Sequence, residues 1–215
     1  MFKPLIIGHR CCKYPGVEEN SVQAAERSVR EGSDIIEIDA FYKDGSFMAY
    51  HPGIIKKNVK IGQVSKLENV LKTINNAKPV YVDVKQNLSE GKIDLLLEII
   101  SKNHGKKVII GSFPKKVLKL FKEKRPDWLI NMHCFATKKS IAEAVKIGSD
   151  WINPMPYFLN KSFINVAQKE GLKVVPAGAQ IKENYNKLLE FIKKGVYAIS
   201  TFKPGEFRTW LEQRL

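Results

Sequence analysis

The chain has 215 residues, with 36 Lys and Arg against 22 Asp and Glu and a formal net charge of +14. This length predicts one domain, and a hydrophobic content of 44% excludes a disordered chain. The chain has no run of about 18 apolar residues, which predicts no transmembrane segment. The odd count of three cysteines predicts no disulfide framework. Together with the lack of a signal-peptide core, it predicts a cytoplasmic protein.

Short β-branched runs alternate with longer segments of helical period along the chain. The predicted strands are Leu5–Gly8, Ile35–Phe41, Val80–Lys85, Lys107–Ser112, Leu129–His133, Trp151–Pro154, Lys173–Ala177 and Ala198–Thr201. The predicted helices are Ser21–Glu31, Lys66–Asn76, Lys92–Asn103, Lys115–Lys124, Lys138–Lys146, Lys161–Glu170, Glu183–Lys194 and Gly205–Leu215. An extra strand at Ser46–His51 follows a hairpin turn at Asp44-Gly45. Eight strand–helix units over residues 1–215 predict a single compact (β/α)8 TIM barrel. A doubly wound open sheet is the alternative, but the chain lacks a glycine-rich nucleotide motif.

A weak internal repeat supports that count of units. Residues 31–36 are similar to residues 147–152, and in both segments a helix ends on a glycine before the next strand. Asp34 and Asp150 occupy equivalent places at strand amino termini, the end of a barrel associated with stability, so we interpret both as structural.

Acidic side chains concentrate where two predicted strands end, the end at which barrel enzymes carry their reacting groups. Side chains two residues apart on a strand face the same side, so Glu37 and Asp39 share one side and Asp83 and Lys85 share another. Three carboxylates inside a barrel are costly unless a cation lies among them. Their oxygen donors suit one divalent cation, Mg²⁺ or Ca²⁺.

Basic and imidazole side chains flank the acidic residues in sequence. The first strand ends in His9-Arg10 and the extra strand in His51. An Arg fork pairs with two phosphate oxygens, and two histidines supply a general base and a general acid on opposite sides of a phosphorus atom.

The ordered set of motifs resembles the glycerophosphodiester phosphodiesterase family, a branch of the phosphatidylinositol-phosphodiesterase-like TIM barrels. The matching segments are His9-Arg10-Cys11, Glu19-Asn20, Glu37-Ile38-Asp39, Asp44-Gly45, His51-Pro52, Asp83-Val84-Lys85, Gly111-Ser112-Phe113, and Gly195-Val196 with Ile199-Ser200-Thr201 and Pro204.

The resemblance implies a metal-dependent phosphoric diester hydrolase of lipid metabolism, acting on a small-molecule phosphodiester to give glycerol phosphate and an alcohol. It assigns general acid–base catalysis to His9 and His51, and one divalent cation to Glu37, Asp39 and Asp83. It also implies that Arg10 and Lys85 bind the phosphodiester oxygens. The nucleophile is either water or a neighbouring hydroxyl of the substrate, which would give a cyclic phosphate first.

Several positions depart from the family pattern. Cys11 replaces a Gly, Pro52 replaces the Asp that follows the second His, and Phe202 replaces an Asp near the chain's end. Asp83 stands where most members have Glu, and the Trp-Thr-x-Asn motif is absent around residues 176–179.

Three points stay open at this level. Glu19 and Asn20 either cap the first helix or support the site from a second shell. The substrate is either a soluble diester or a membrane phospholipid, since the missing Trp and a short segment after His51 leave the site open. A non-catalytic barrel that binds anions or nucleic acid is the third alternative, although the dispersed lysines make nucleic acid the less favoured ligand. Membrane-surface contact is compatible with the charge, and the oligomeric state is not predicted.

Overall fold

A computed structural model describes residues 3–54, 64–105, 107–176 and 184–215 as a ring of parallel strands surrounded by helices. The strands in these residues are β1 (Leu5–Gly8), β2 (Ile35–Lys43), β3 (Ser46–Ala49), β4 (Val80–Val84), β5 (Val108–Ser112), β6 (Leu129–Cys134), β7 (Trp151–Pro154), β8 (Lys173–Val174) and β9 (Ala198–Thr201). The helices are α1 (Val22–Arg30), α2 (Leu67–Ile74), α3 (Glu90–Asn103), α4 (Lys115–Lys124), α5 (Lys138–Lys146), α6 (Lys161–Lys169), α7 (Tyr185–Lys193) and α8 (Pro204–Glu212).

Eight parallel strands form the barrel in the order β8-β7-β6-β5-β4-β2-β1-β9. Two backbone hydrogen bonds complete the circle, from Tyr197 N to Val174 O at 2.8 Å and from Ser200 N to Pro176 O at 3.3 Å. A helix follows each barrel strand, except that β3 comes between β2 and α2. The predicted (β/α)8 barrel is confirmed.

The predicted extra strand forms the expected hairpin, but it ends at Ala49, so His51 lies in the segment that follows the strand. β3 pairs antiparallel with β2, and Lys43 lies opposite Ser46. Asp44 and Gly45 have φ angles of 47° and 83°. These left-handed conformations are those of a tight two-residue hairpin turn, which Asp-Gly favours.

β8 is shorter than the predicted strand Lys173–Ala177 and ends at Val174. Pro176 carries no N–H with which to continue a ladder, which accounts for the early end. Two predicted boundaries, Ala177 and Glu183, lie outside the described residues, as does most of the 176–179 segment.

Strand side chains alternate between two apolar layers. One layer fills the lower barrel interior and consists of Ile7, Ile35, Tyr81, Ile109, Trp151, Val175 and Ala198. The other lies between strands and helices and includes Ile36, Ile38, Val82 and Val84, which are almost fully buried. Because Ile36 and Ile38 face the helices, the intervening Glu37 is directed into the barrel.

Asp34 and Asp150 make the same contacts at their two places in the repeat. Asp34 Oδ2 accepts from Ile6 N at 2.8 Å, and Asp150 Oδ2 accepts from Ile130 N at 2.9 Å. Each also pairs with a helix cation, Arg208 at 2.9 Å and Lys122 at 3.1 Å respectively. These carboxylates tie a strand to its neighbour at the amino-terminal end of the barrel, as the structural interpretation predicted.

No helix among the described residues is both long enough and apolar enough to cross a bilayer.

Candidate active site

Strand register brings the three predicted carboxylates together. Asp39 of β2 lies directly opposite Asp83 of β4, and Glu37 is two residues earlier on β2. One oxygen from each of the three side chains lies within 4.8 Å of the others, and all three residues are buried. Glu37 and Asp83 line a cleft of about 460 Å³ at the carboxyl end of the barrel, and Asp39 is buried next to them. The cleft is lined by His9, Arg10, Lys13, Glu19, Glu37, His51, Tyr81, Asp83, Lys85, Phe113, His133, Asn153, Ser200 and Phe202.

Asp39 is the most enclosed carboxylate of the cluster, with no solvent exposure. Its Oδ2 accepts from Asn20 Nδ2 at 2.8 Å and pairs with Arg10 Nε at 3.2 Å, while Oδ1 faces Lys85 Nζ at 2.8 Å. Burial alone would raise the pKa of Asp39, but the charges of Lys85 and Arg10 outweigh it and lower that pKa to about 2. Asp39 is therefore an anion at neutral pH.

Asn20 contacts a carboxylate of the cluster and does not cap the first helix. Besides donating to the Asp39 side chain, it accepts from Asp39 N through Oδ1 at 3.0 Å. The helix cap is instead Ser21, whose hydroxyl accepts from Ala24 N. Asn20 thus holds a site carboxylate at two points, and its neighbour Glu19 accepts from Arg10 Nη1 at 3.2 Å.

Glu37 connects the acidic cluster to the end of β1. Its Oε2 accepts from Arg10 N at 2.5 Å and lies 3.0 Å from His9 Nδ1. Ser200 Oγ lies 3.2 Å from the same His9 nitrogen. A proton on Nδ1 satisfies the Glu37 carboxylate, which makes His9 Nε2 a proton acceptor.

Lys85 places a cation between two carboxylates. Its ammonium pairs with Asp39 Oδ1 and, in a short contact, with Asp83 Oδ2. Burial alone would lower the pKa of Lys85, but the nearby charges of Asp83, Asp39 and Glu37 raise it above the usual value. Lys85 therefore stays protonated throughout the range in which proteins function.

His51 is oriented by the backbone. Its Nδ1 accepts from Gly53 N at 3.1 Å, so the ring's proton is on Nε2. Burial, offset in part by Asp39, lowers the pKa of His51 to about 4. The family pattern has an Asp where this chain has Pro52, and here the His51 ring is held by the Gly53 amide. This amide favours a neutral ring that donates through Nε2.

A polar network beneath the carboxylates was missed in the sequence. Tyr81 Oη lies 2.6 Å from His133 Nε2 and accepts from Asn131 Nδ2 at 3.1 Å. His133 Nε2 lies 3.6 Å from Asp83 Oδ2. The His133 side chain therefore lines the cleft beside the carboxylates.

Gly111 makes room for this network. A Cβ added at Gly111 would lie 2.2 Å from the Tyr81 ring. The ring can occupy this place only because Gly111 has no side chain. Burial raises the pKa of Tyr81 well above its usual value. The phenol therefore keeps its proton and supports the floor of the cleft through hydrogen bonds.

The chain leaves β1 through three consecutive residues with positive φ. These are Arg10, Cys11 and Cys12, with φ angles of 51°, 56° and 70°. This geometry explains why glycine suits the position of Cys11, and it directs both the amide and the side chain of Arg10 towards the carboxylates. Burial raises the pKa of both thiols, so neither is a nucleophile at neutral pH.

Phe202 contributes an aromatic wall where the family pattern has a carboxylate. Its ring packs edge-on against His9, with centroids 4.8 Å apart, and lies 5.8 Å from the Arg10 guanidinium carbon. Where the family pattern has a charged Asp, Phe202 therefore provides an apolar ring that packs against His9 and Arg10.

The donor set fits a divalent cation. Two oxygens on opposite sides of a bound Mg²⁺ or Ca²⁺ are separated by about 4 to 5 Å, and the three carboxylate oxygens lie within that span. Glu37 Oε1 is buried and has no hydrogen-bond partner among the described residues. Counting Glu19, four carboxylates face the two cations Arg10 and Lys85, which leaves an excess of negative charge for an ion to compensate.

The sequence matches no family model and no curated protein. In structure, the chain is similar to an Oleispira antarctica phosphodiesterase in complex with its product sn-glycerol-3-phosphate, with a TM-score of 0.84, 13% identity and 97% of each chain covered. It is similar to a Parabacteroides distasonis glycerophosphodiester phosphodiesterase, with a TM-score of 0.79, 18% identity and 98% of each chain covered.

A Thermotoga maritima glycerophosphodiester phosphodiesterase is likewise similar, with a TM-score of 0.74, 18% identity and coverage of 98% of this chain and 99% of the other. The fold is therefore one that glycerophosphodiester phosphodiesterases adopt, the family that the sequence motifs resemble.

Proposed function

We propose that this chain is a metal-dependent phosphodiesterase that hydrolyses glycerophosphodiesters to glycerol phosphate and an alcohol. The observation that carries the proposal is the buried carboxylate cluster of Glu37, Asp39 and Asp83, with Arg10, Lys85 and two histidines around it in one cleft. The similar structure with bound sn-glycerol-3-phosphate supports a substrate of this class.

In this proposal the three carboxylates hold one divalent cation, Mg²⁺ or Ca²⁺. A bound cation would neutralise charge that develops on the phosphoryl oxygens. Arg10 and Lys85 bind the same oxygens from the side. The hydrogen bonds from Asn20 and the Arg10 amide fix Asp39 and Glu37, so the carboxylates need little rearrangement on binding.

The two histidines face the phosphorus with opposite hydrogen-bonding polarity. His9 accepts a proton at Nε2 from the nucleophile, either water or a substrate hydroxyl, while Glu37 stabilises the imidazolium that forms. His51 donates a hydrogen bond from Nε2 to the leaving-group oxygen, which takes up a proton from water as the phosphorus–oxygen bond breaks, and the Gly53 amide holds the ring in that tautomer.

A metal-supplemented screen tests the proposal. Glycerophosphocholine, glycerophosphoethanolamine, glycerophosphoinositol and an aryl phosphodiester are incubated with the protein, and phosphomonoester release is measured. We expect release from at least one glycerophosphodiester with Mg²⁺ or Ca²⁺ and none in EDTA. His9→Ala is expected to lower the rate by about 100-fold or more because no general base remains.

Thermal unfolding serves as the folding control for His9→Ala, which should keep a cooperative transition. Full activity in EDTA, an unimpaired His9→Ala variant, or no turnover of any diester by the metal-loaded protein would each refute the proposal. The last outcome, with a steep salt-dependent affinity for RNA or DNA, would favour the non-catalytic alternative.

A further inference from the structure

Large aromatic side chains are exposed around one sector of the cleft mouth. We define the aromatic rim as Phe113, Phe135, Tyr157 and Phe158, whose residues are 52%, 59%, 61% and 59% exposed. Phe113 follows β5, Phe135 follows β6, and the other two follow β7. Because these strands are adjacent and parallel, the rim lies at the same end of the barrel as the carboxylates.

Two of the rim rings contact each other, and a third contacts a residue that lines the cleft. The rings of Phe135 and Phe158 are in contact, with centroids 6.4 Å apart. Phe113 packs against His133 at 5.2 Å, and His133 in turn lies 3.6 Å from Asp83. Exposed aromatic rings that adjoin one another in this way mark an interaction surface rather than scattered surface residues.

The charges of the same three loops have one sign. Segments 113–119, 135–142 and 155–165 contain lysines but no Asp or Glu. All six lysines of these segments are exposed, and five of them lie within four residues of a rim aromatic, namely Lys115, Lys116, Lys138, Lys139 and Lys161. The first acidic residue after Lys139 in the sequence is Glu143, and its carboxylate pairs with Lys115 at 2.7 Å.

We propose that the aromatic rim and its lysines dock the barrel mouth onto an anionic phospholipid bilayer. Aromatic side chains favour the bilayer interface, and each lysine near an anionic surface adds to the attraction. The net charge of +14 complements such a surface. A bilayer on the rim would face the cleft directly, so a phosphodiester headgroup could enter from the surface; that consequence rests on the proposed phosphodiesterase function.

Vesicle co-sedimentation tests the docking surface. The full chain is mixed with vesicles of phosphatidylcholine alone, or of equal parts phosphatidylcholine and phosphatidylglycerol, at low salt and in about 1 M NaCl. We expect binding to the anionic vesicles at low salt, much weaker binding in high salt, and little binding to phosphatidylcholine.

The double variant Phe135→Ser/Phe158→Ser separates the rim from general charge. It keeps every lysine, so its affinity for anionic vesicles should fall about tenfold or more through lost apolar burial alone. Val145→Ser is the matched control. Val145 is 44% exposed in the last turn of α5, towards the other end of the barrel, and its loss should leave vesicle binding unchanged.

Three results would overturn the docking surface. They are no binding of the wild type to anionic vesicles, equal binding by the double variant, or a wild-type dimer that the double variant abolishes. The last would show that a second copy covers the rim. Hydrolysis of a soluble glycerophosphodiester is measured in parallel, and its absence alongside rim-dependent vesicle binding would refute only the proposed activity.

Discussion

At the scale of single residues, the two cleft histidines differ in which nitrogen is held. His9 uses Nδ1 towards Glu37, whereas His51 accepts at Nδ1 from the Gly53 amide. The ring nitrogen left for chemistry is therefore an acceptor in His9 and a donor in His51. The difference arises because the neighbour of His9 is the Glu37 carboxylate, whereas the neighbour of His51 is a backbone N–H.

Glutamine substitutions test this polarity. A Gln side chain presents an amide N–H close to the place of imidazole Nε2 but cannot accept a proton. His51→Gln should therefore lose only about tenfold in kcat, the effect of an imperfect hydrogen bond. His9→Gln should lose about 1,000-fold because the general base is gone.

His51→Ala is the matched control and should be impaired well beyond His51→Gln. If the two His51 variants lose activity equally, then His51 acts by transferring a proton rather than by donating a hydrogen bond. Initial rates at saturating diester and metal, measured at pH 7, decide between the two roles.

The same residue-scale rule explains what the sequence could and could not reveal of the site. Alternation along a strand was enough to place Glu37 beside Asp39. Applied to β6, the same alternation puts Asn131 and His133 on one side, which is the sequence signal for the polar network beneath the carboxylates. The roles of Asn20 and Gly53 lie beyond such rules, since each depends on how a loop folds back onto the site.

At the scale of elements, the repeated glycine–aspartate connection fastens the lower end of the barrel. Gly32 and Gly148 both have positive φ, 77° and 69°, and each precedes an aspartate that accepts a neighbouring strand's amide. The sequence predicted these connections because the turn and the aspartate recur together. It did not predict the early end of β8, which depends on how Pro176 meets β9.

Asp150→Ala tests the structural role of this connection. Removing the carboxylate leaves the Ile130 amide without its acceptor, so the free energy of unfolding should fall by about 1 to 2 kcal/mol. Activity per folded molecule should not change, because Asp150 lies at the opposite end of the barrel from the cleft. Urea denaturation and a diester assay measure the two effects.

Asp127→Ala is the control for that experiment. Asp127 also pairs with a cation, Arg125 at 2.7 Å, but its side chain is 60% exposed. A surface pair of this kind contributes little, so the loss should stay below about 0.5 kcal/mol. A loss at Asp150 no greater than that at Asp127 would contradict the structural role.

At the scale of the whole molecule, the charge consists of a buried acidic cluster and a basic surface around it. Three of the 22 acidic residues are buried in one cluster, so the remaining surface is more basic than the net charge of +14 indicates. Such a surface draws anions towards the cleft over several ångströms of solvent. The basic charge is thus consistent with a phosphodiester substrate and an anionic bilayer.

The measurement that tests the account most directly is a phosphorus NMR time course on a glycerophosphodiester with Mg²⁺ or Ca²⁺. The wild type should convert the diester signal to that of a phosphomonoester. Glu37→Gln keeps the size of the side chain and an oxygen for the Arg10 amide but removes the charge, so its rate should fall by about 100-fold or more. Conversion by Glu37→Gln at the wild-type rate, or by the wild type in EDTA, would contradict the metal-dependent site.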